Sequence, residues 1–223
     1  MFGLFAMLAL IYAGSFWLPA LSRFLNIPFW RELSSSPLQN TFGIGVAVTG
    51  LAGVFCSMMI YRDTRRTFWR TTITTLKFTG TMLLLGPATI LFTMTLQSVF
   101  APAIATQPTF RHLVVLLCGF LAVTMTAKLL WELTVFAHLK DREWTDMKRT
   151  ALLMSGVLKR ATVPRFVCGA LGGVVIPVLV AFGALPPVIA TGILPFALLG
   201  ELLERYLFFT AVIPPKMPGG IAS

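Results

Sequence analysis

Six stretches of this chain are apolar nearly throughout: residues 2–21, 42–61, 76–100, 113–139, 166–185 and 187–213. A helix crosses the hydrocarbon core of a bilayer with about 20 such residues. The pattern therefore predicts an all-α integral membrane protein, a six-transmembrane-helix bundle. Residues 1–213 read as a single transmembrane bundle, and residues 214–223, rich in proline and glycine, as a loosely ordered cytoplasmic tail. The connection 139–163 carries Met147, Leu152, Met154, Val157 and Leu158 at partial helical spacing between charged ends, which predicts a short interfacial helix. Pro164 is expected to open the fifth span as a first-turn proline. Gly169, Gly172 and Gly173 are expected to pack that span closely on a neighbour, Pro177 to kink it, and Pro186–Pro187 to turn the chain into the last span.

Charge interrupts this pattern at two places. The last span contains Glu201, Glu204 and Arg205, and the fourth contains Lys128 and Glu132. A charge at the centre of a membrane helix costs roughly 2.5–3.5 kcal/mol on insertion scales, so such residues pair or face a polar interior. Glu201/Arg205 and Lys128/Glu132 each have i,i+4 spacing, which sets them on one helix face. At 1.5 Å per residue, Lys128 lies about 22 Å past the outer end of its span, Glu201 about 21 Å and Arg205 about 27 Å. The five residues are thus expected in one layer in the inner half of the membrane, with Lys128 and Glu204 in reach of each other. They could serve as an ionic staple between helices or as the lining of a polar cavity.

The composition agrees with lipid as the solvent: 57% of residues are hydrophobic and only 12% charged, where soluble domains carry about 25%. The net charge of +10 does not imply nucleic acid, because the cations fall in particular loops. Arg62, Arg65, Arg66, Arg70 and Lys77 follow the second span, and Lys140, Arg142, Lys148, Arg149, Lys159, Arg160 and Arg165 follow the fourth; the alternate connections hold only Arg23, Arg31 and Arg111. The positive-inside rule places both basic connections and both termini in the cytoplasm. Cys56, Cys118 and Cys168 stand singly in three spans, without metal or redox spacing. His112 and His138 fall on one helix about 39 Å apart, too far to sandwich a haem. Neither haem nor an iron–sulfur cluster is expected in this chain, and no nucleophile–base set suggests a catalytic centre.

Three motifs, in order, resemble the dimethyl sulfoxide reductase membrane anchor family. They are Tyr61-Arg62-Asp63-Thr64 with Arg66 and Phe68-Trp69; Lys128 with Trp131-Glu132 and His138-Leu139; and Gly200, Leu203-Glu204-Arg205 and Leu207-Phe208-Phe209, followed by Pro214-Pro215-Lys216-Met217-Pro218. The resemblance spans roughly residues 2–220. It implies a non-catalytic, multi-pass subunit of an anaerobic respiratory complex in the bacterial inner membrane. Such an anchor oxidises menaquinol, a mobile substrate, and passes the electrons to an iron–sulfur subunit that serves a molybdopterin catalytic subunit. Lys128, Glu132, Glu201, Glu204 and Arg205 become the candidates for the quinol or polar cavity.

The family has eight spans, and its quinol-linked histidine lies in an N-terminal H-L-G-R-P motif. Here His138-Leu139 is followed by Lys140-Asp141, so that motif has no counterpart. The expectation is that either a second polypeptide supplies the missing helices or the chain is poorly stable alone, and that this chain alone does not oxidise a quinol. Two other readings are a small-solute transporter using the charged layer and an assembly-only accessory protein. A transporter tends to show two halves with matching broken spans, and no such symmetry is visible.

Overall fold

The computed structural model describes residues 2–25, 36–63, 69 and 71–211, and every element among them is helical. The Arg65, Arg66 and Arg70 part of the first basic connection, Arg31 and the tail 214–223 lie outside the described residues. The chain forms two compact units, Met1–Asp63 and Thr64–Ser223. Five helices are long and apolar enough to cross a membrane: Gln39–Tyr61, Thr71–Phe100, Pro108–Lys140, Lys159–Ala181 and Pro187–Thr210. The protein is thus a multi-pass membrane protein, with five such helices among the described residues where the hydropathy pattern predicts six. The difference is the first stretch, whose described apolar part, Gly3–Ser15, is shorter than a span.

The first unit pairs α1 (Phe2–Leu25) with α2 (Ser36–Asp63). Gly43 and Gly50 of α2 admit the rings of Tyr12 and Phe5; a Cβ on either glycine would stand 3.2 Å or 3.1 Å from the ring it meets. Ser15 donates its hydroxyl to the Tyr12 carbonyl at 2.7 Å, which keeps a polar side chain satisfied inside an apolar helix.

The second unit is a four-span bundle. It comprises α3 (Thr71–Phe100), α4 (Pro108–Leu133, running on as a 3-10 helix over Thr134–Lys140), α5 (Asp146–Ser155), α6 (Lys159–Ala170), α7 (Ile176–Ala181) and α8 (Ile193–Thr210). A π-turn, Leu171–Val175, joins α6 to α7, and a 3-10 segment, Pro187–Gly192, leads into α8. Helix α3 packs on α4, α4 on α6 and α7, α6 on α8, and α8 back on α3, closing the ring. Leu84, Leu91, Leu121, Met125 and Ile193 fill one end of it. Met154, Leu207 and Ala211 form a smaller apolar cluster at the other.

Glycine and proline shape the fifth predicted span as expected in part. A Cβ on Gly172 would lie 2.6 Å from Phe196 Cβ, and one on Gly173 would lie 2.3 Å from Met125 Cγ, so both backbones are in direct contact with a neighbour. The π-turn precedes Pro177, and the proline sits in the first turn of α7, where its missing N–H costs little. Pro164 differs from expectation. It lies inside α6, which begins at Lys159 rather than at the proline. The helix can start early because the carbonyl that the proline leaves free is that of Arg160, an exposed residue where it can be hydrated. Gly183, with φ 75°, makes the turn between α7 and the 3-10 segment, a conformation that disfavours any side chain.

The connection 139–163 does hold a helix, α5. Thr145 caps it, its hydroxyl accepting the Lys148 N–H at 3.2 Å, and Asp146 sits in the first turn, where the helix dipole favours an acid. The positive-inside rule leads to the expectation that α5 lies on the cytoplasmic side. A cysteine at position 145 is expected to react with an impermeant thiol reagent only in inverted vesicles or after lysis, and a cysteine at position 184 in intact cells. Labelling of position 145 from outside intact cells would reverse the orientation.

Candidate functional site

Between the two apolar clusters lies a layer of charge. Lys77 of α3, Lys128 and Glu132 of α4, Arg165 of α6, and Glu201 and Glu204 of α8 are all buried. They form one alternating chain. Lys77 Nζ meets Glu204 Oε1 at 2.6 Å. Glu204 Oε2 meets Lys128 Nζ at 3.3 Å, and Lys128 meets Glu201 Oε2 at 2.5 Å. Glu201 Oε1 meets Arg165 Nη2 at 3.3 Å, and Arg165 ends the chain on Glu132. That last contact is bidentate, Nη2 to Oε1 at 2.8 Å and Nε to Oε2 at 3.2 Å, the geometry a guanidinium fork provides. Three cations and three carboxylates alternate across four helices, so the layer carries no net charge.

Several neighbours hold the layer in place. Thr81 donates its hydroxyl to Glu201 Oε2 at 2.5 Å and accepts from Lys128 Nζ at 3.2 Å. Gly80 lies against the Lys128 stem; a Cβ there would come within 3.2 Å of Cδ. Arg165 is 0% exposed, and its Nη1, with no hydrogen-bond partner among the described residues, lies 3.1 Å from where a Cβ would stand on either Gly169 or Gly200. The absence of side chains at those two positions lets the guanidinium pass between α6 and α8.

The five residues singled out in the sequence are brought together in part. Lys128, Glu132, Glu201 and Glu204 join the layer, and Lys128 does reach Glu204. Neither i,i+4 pair forms. Lys128 binds α8 instead of Glu132, and Glu201 binds α4 and α6 instead of Arg205. Arg205 stands aside, its guanidinium 3.7 Å from the centroid of the Phe78 ring and its Nη2 3.4 Å from the Thr81 hydroxyl. The reason is rotational: residues advance about 100° each around a helix, so Arg205 falls on the flank of the buried face that Ala197, Glu201, Glu204 and Phe208 define. Lys77 and Arg165, assigned by sequence to basic connections, are members of the layer. Both lie within buried helices, because α3 begins at Thr71 and α6 at Lys159.

Two cavities flank the charges. One, of about 300 Å³, lies between α3 and α4; Leu76, Leu83, Thr124, Ala127, Lys128 and Trp131 are among its walls. The other, of about 140 Å³, lies under α5 and is bounded by Lys77, Glu132, Glu204, Trp131, Met147 and Met154. Both ends of the ionic chain, Lys77 and Glu132, therefore face the smaller cavity, while Lys128 at its middle faces the larger. At the same end of the bundle Trp69 donates its indole N–H to the Phe208 carbonyl at 2.9 Å and stacks on the Phe208 ring, with centroids 5.6 Å apart. Two of the motif segments quoted from sequence thus meet in space.

A family model described as DMSO reductase anchor subunit (DmsC) matches residues 8–157. That range contains α2 to α5 and three of the six layer residues, Lys77, Lys128 and Glu132; Arg165, Glu201 and Glu204 follow it, as does the C-terminal motif. No curated protein and no solved structure matched the chain.

Proposed function

The chain belongs to the DMSO reductase anchor subunit family, and on that premise we propose that, assembled with its partner subunits and not alone, it oxidises menaquinol in a bacterial cytoplasmic membrane and passes the electrons to an iron–sulfur partner. Anchor subunits of this kind work with a catalytic and an iron–sulfur subunit. The finer reading adds the mobile carrier, the molybdopterin centre fed by its electrons, and a sixth crossing made by α1, whose 24 residues are long enough.

One observation carries the quinol reading: the cavity between α3 and α4 ends on Lys128. Its volume of about 300 Å³ is at the lower end of the range for small-molecule sites, about 300–1,000 Å³. Its walls are apolar apart from the threonines and Lys128, which suits a quinol ring whose isoprenoid tail stays in lipid. Oxidation removes two electrons and two protons. The electrons leave to the iron–sulfur partner. The protons leave the ring oxygens toward the ionic layer, where the Lys128 ammonium favours the deprotonated oxygen. The two carboxylates bound to Lys128, Glu201 and Glu204, accept one proton each, and Glu204 faces the smaller cavity through which they leave.

Ala127→Trp fills the larger cavity from its exposed wall and replaces none of the six charged residues. Menaquinol-driven reduction of the iron–sulfur partner in the assembled complex is expected to fall at least tenfold, with complex yield unchanged. A wild-type rate would remove the cavity from the reaction.

A further inference from the structure

Helix α5 has two faces. Its inner face carries Thr150, Ala151 and Met154, all buried, and Thr150 donates to the Ala211 carbonyl at 3.0 Å. Its outer face and flanks carry Trp144, 69% exposed, Leu152 and Val157, 82% exposed. Around these lie Lys140, Arg142, Arg149, Lys159 and Arg160, all exposed and without a carboxylate partner among the described residues. Lys148 is the exception on this surface: it donates to the Asp141 carbonyl and lies 5.4 Å from the centre of the Trp144 ring. Over residues 140–160, six Lys and Arg stand against three Asp and Glu, a net charge of +3.

We propose that this surface is a binding site for anionic phospholipid, with α5 lying in the headgroup layer of the leaflet that borders it. Two independent features select a bilayer over water. Large apolar groups, one of them an indole, stand exposed where spans α4 and α6 reach the end of the membrane, the level at which tryptophan partitions. The cations interleaved with them lack carboxylate partners and match phosphate in charge and hydrogen-bond geometry. An acidic protein surface would meet the same cations, but it gives no account of why Trp144 and Val157 are bare at membrane depth. The proposal is independent of the quinol reading, since none of its residues lines the larger cavity.

The test is quenching by brominated lipid of the full chain in nanodiscs, with Trp144→Phe subtracted to isolate one indole. Brominated phosphatidylglycerol is expected to quench Trp144 strongly, and brominated phosphatidylcholine weakly. The phosphatidylglycerol preference should fall roughly fivefold per cation in Arg149→Gln and Arg160→Gln and persist in Arg149→Lys. Free phosphate at matched ionic strength should leave the quenching unchanged. Equal quenching by both lipids would show burial without headgroup selection and overturn the proposal. So would the absence of any Trp144 component. Loss of Trp144 quenching in the assembled complex would assign the surface to a protein partner instead.

Discussion

Arg165→Leu is expected to leave almost no folded protein in the membrane, and adding Glu132→Leu to the same chain is expected to recover much of it. The single change removes one of three cations from a neutral layer and strands Glu132, whose only ion-pair partner among the described residues is Arg165. Breaking a buried pair by deleting one member costs about 3–5 kcal/mol, because the surviving charge is desolvated without compensation. The double change deletes one charge of each sign and leaves Lys77, Glu204, Lys128 and Glu201 as a shorter neutral chain. Two leucines in place of two ions also lower the desolvation cost. Arg165→Lys should fall between these, since an ammonium cannot reproduce the bidentate contact with Glu132 while also reaching Glu201. Monodisperse yield and melting temperature of the extracted protein measure all three. If the double variant is as poor as the sum of the two singles, the residues do not act as a pair.

Gly172→Ala is expected to destabilise the bundle by on the order of 3 kcal/mol, the upper part of the range for overpacking, while Gly119→Ala changes little. One added carbon separates the outcomes. At Gly172 it would stand 2.6 Å from Phe196 Cβ and 2.8 Å from the Ala197 backbone nitrogen. A helix backbone cannot move aside as a side-chain tip can, so α8 itself must shift, and Glu201 with it. At Gly119 nothing lies within 4 Å. Gly173→Ala should cost about as much as Gly172→Ala: its added carbon meets Met125 Cγ at 2.3 Å and Cβ at 2.6 Å, and Cβ is fixed to the α4 backbone. The melting temperatures of the three variants should rank accordingly. Equal losses at positions 119 and 172 would show that close contact is not what selects glycine there.

The helical layout could be read from hydropathy because lipid imposes a coarse rule: an apolar run of sufficient length has few alternatives to a helix. The same rule exposed four members of the charged layer. Lys128, Glu132, Glu201 and Glu204 stand in apolar surroundings where a charge is costly, so each carried its own signal. Lys77 and Arg165 gave none. Each follows a run of cations. Lys77 stands at the very start of the span predicted over 76–100 and reads with the loop before it. Arg165 precedes its predicted span and becomes a core residue because α6 starts earlier than hydropathy suggests. The first turns are written in threonines, lysine and arginine, which read as loop. Arg205 failed for the opposite reason. It stood out in the sequence as strongly as its neighbours, but the i,i+4 rule assumes a free helix surface, and on a buried face the nearest partner is across the interface. The early start of α6 before Pro164 was hidden for the same cause, since a proline marks a helix start in sequence more often than a position within the first turns.

Trp131 belongs to the walls of both cavities. It is a partition, with lipid-accessible space on one side and the polar pocket under α5 on the other. An indole in that position is sensitive to both compartments at once: a ring entering from the α3–α4 side changes its contact shell, and hydration of the pocket beside Glu204 changes its dielectric. The two events shift emission by different means, contact quenching in one case and solvent relaxation in the other. With the other four of the five tryptophans replaced by phenylalanine, the intensity and the wavelength of Trp131 emission would read separately the filling of one chamber and the wetting of the next.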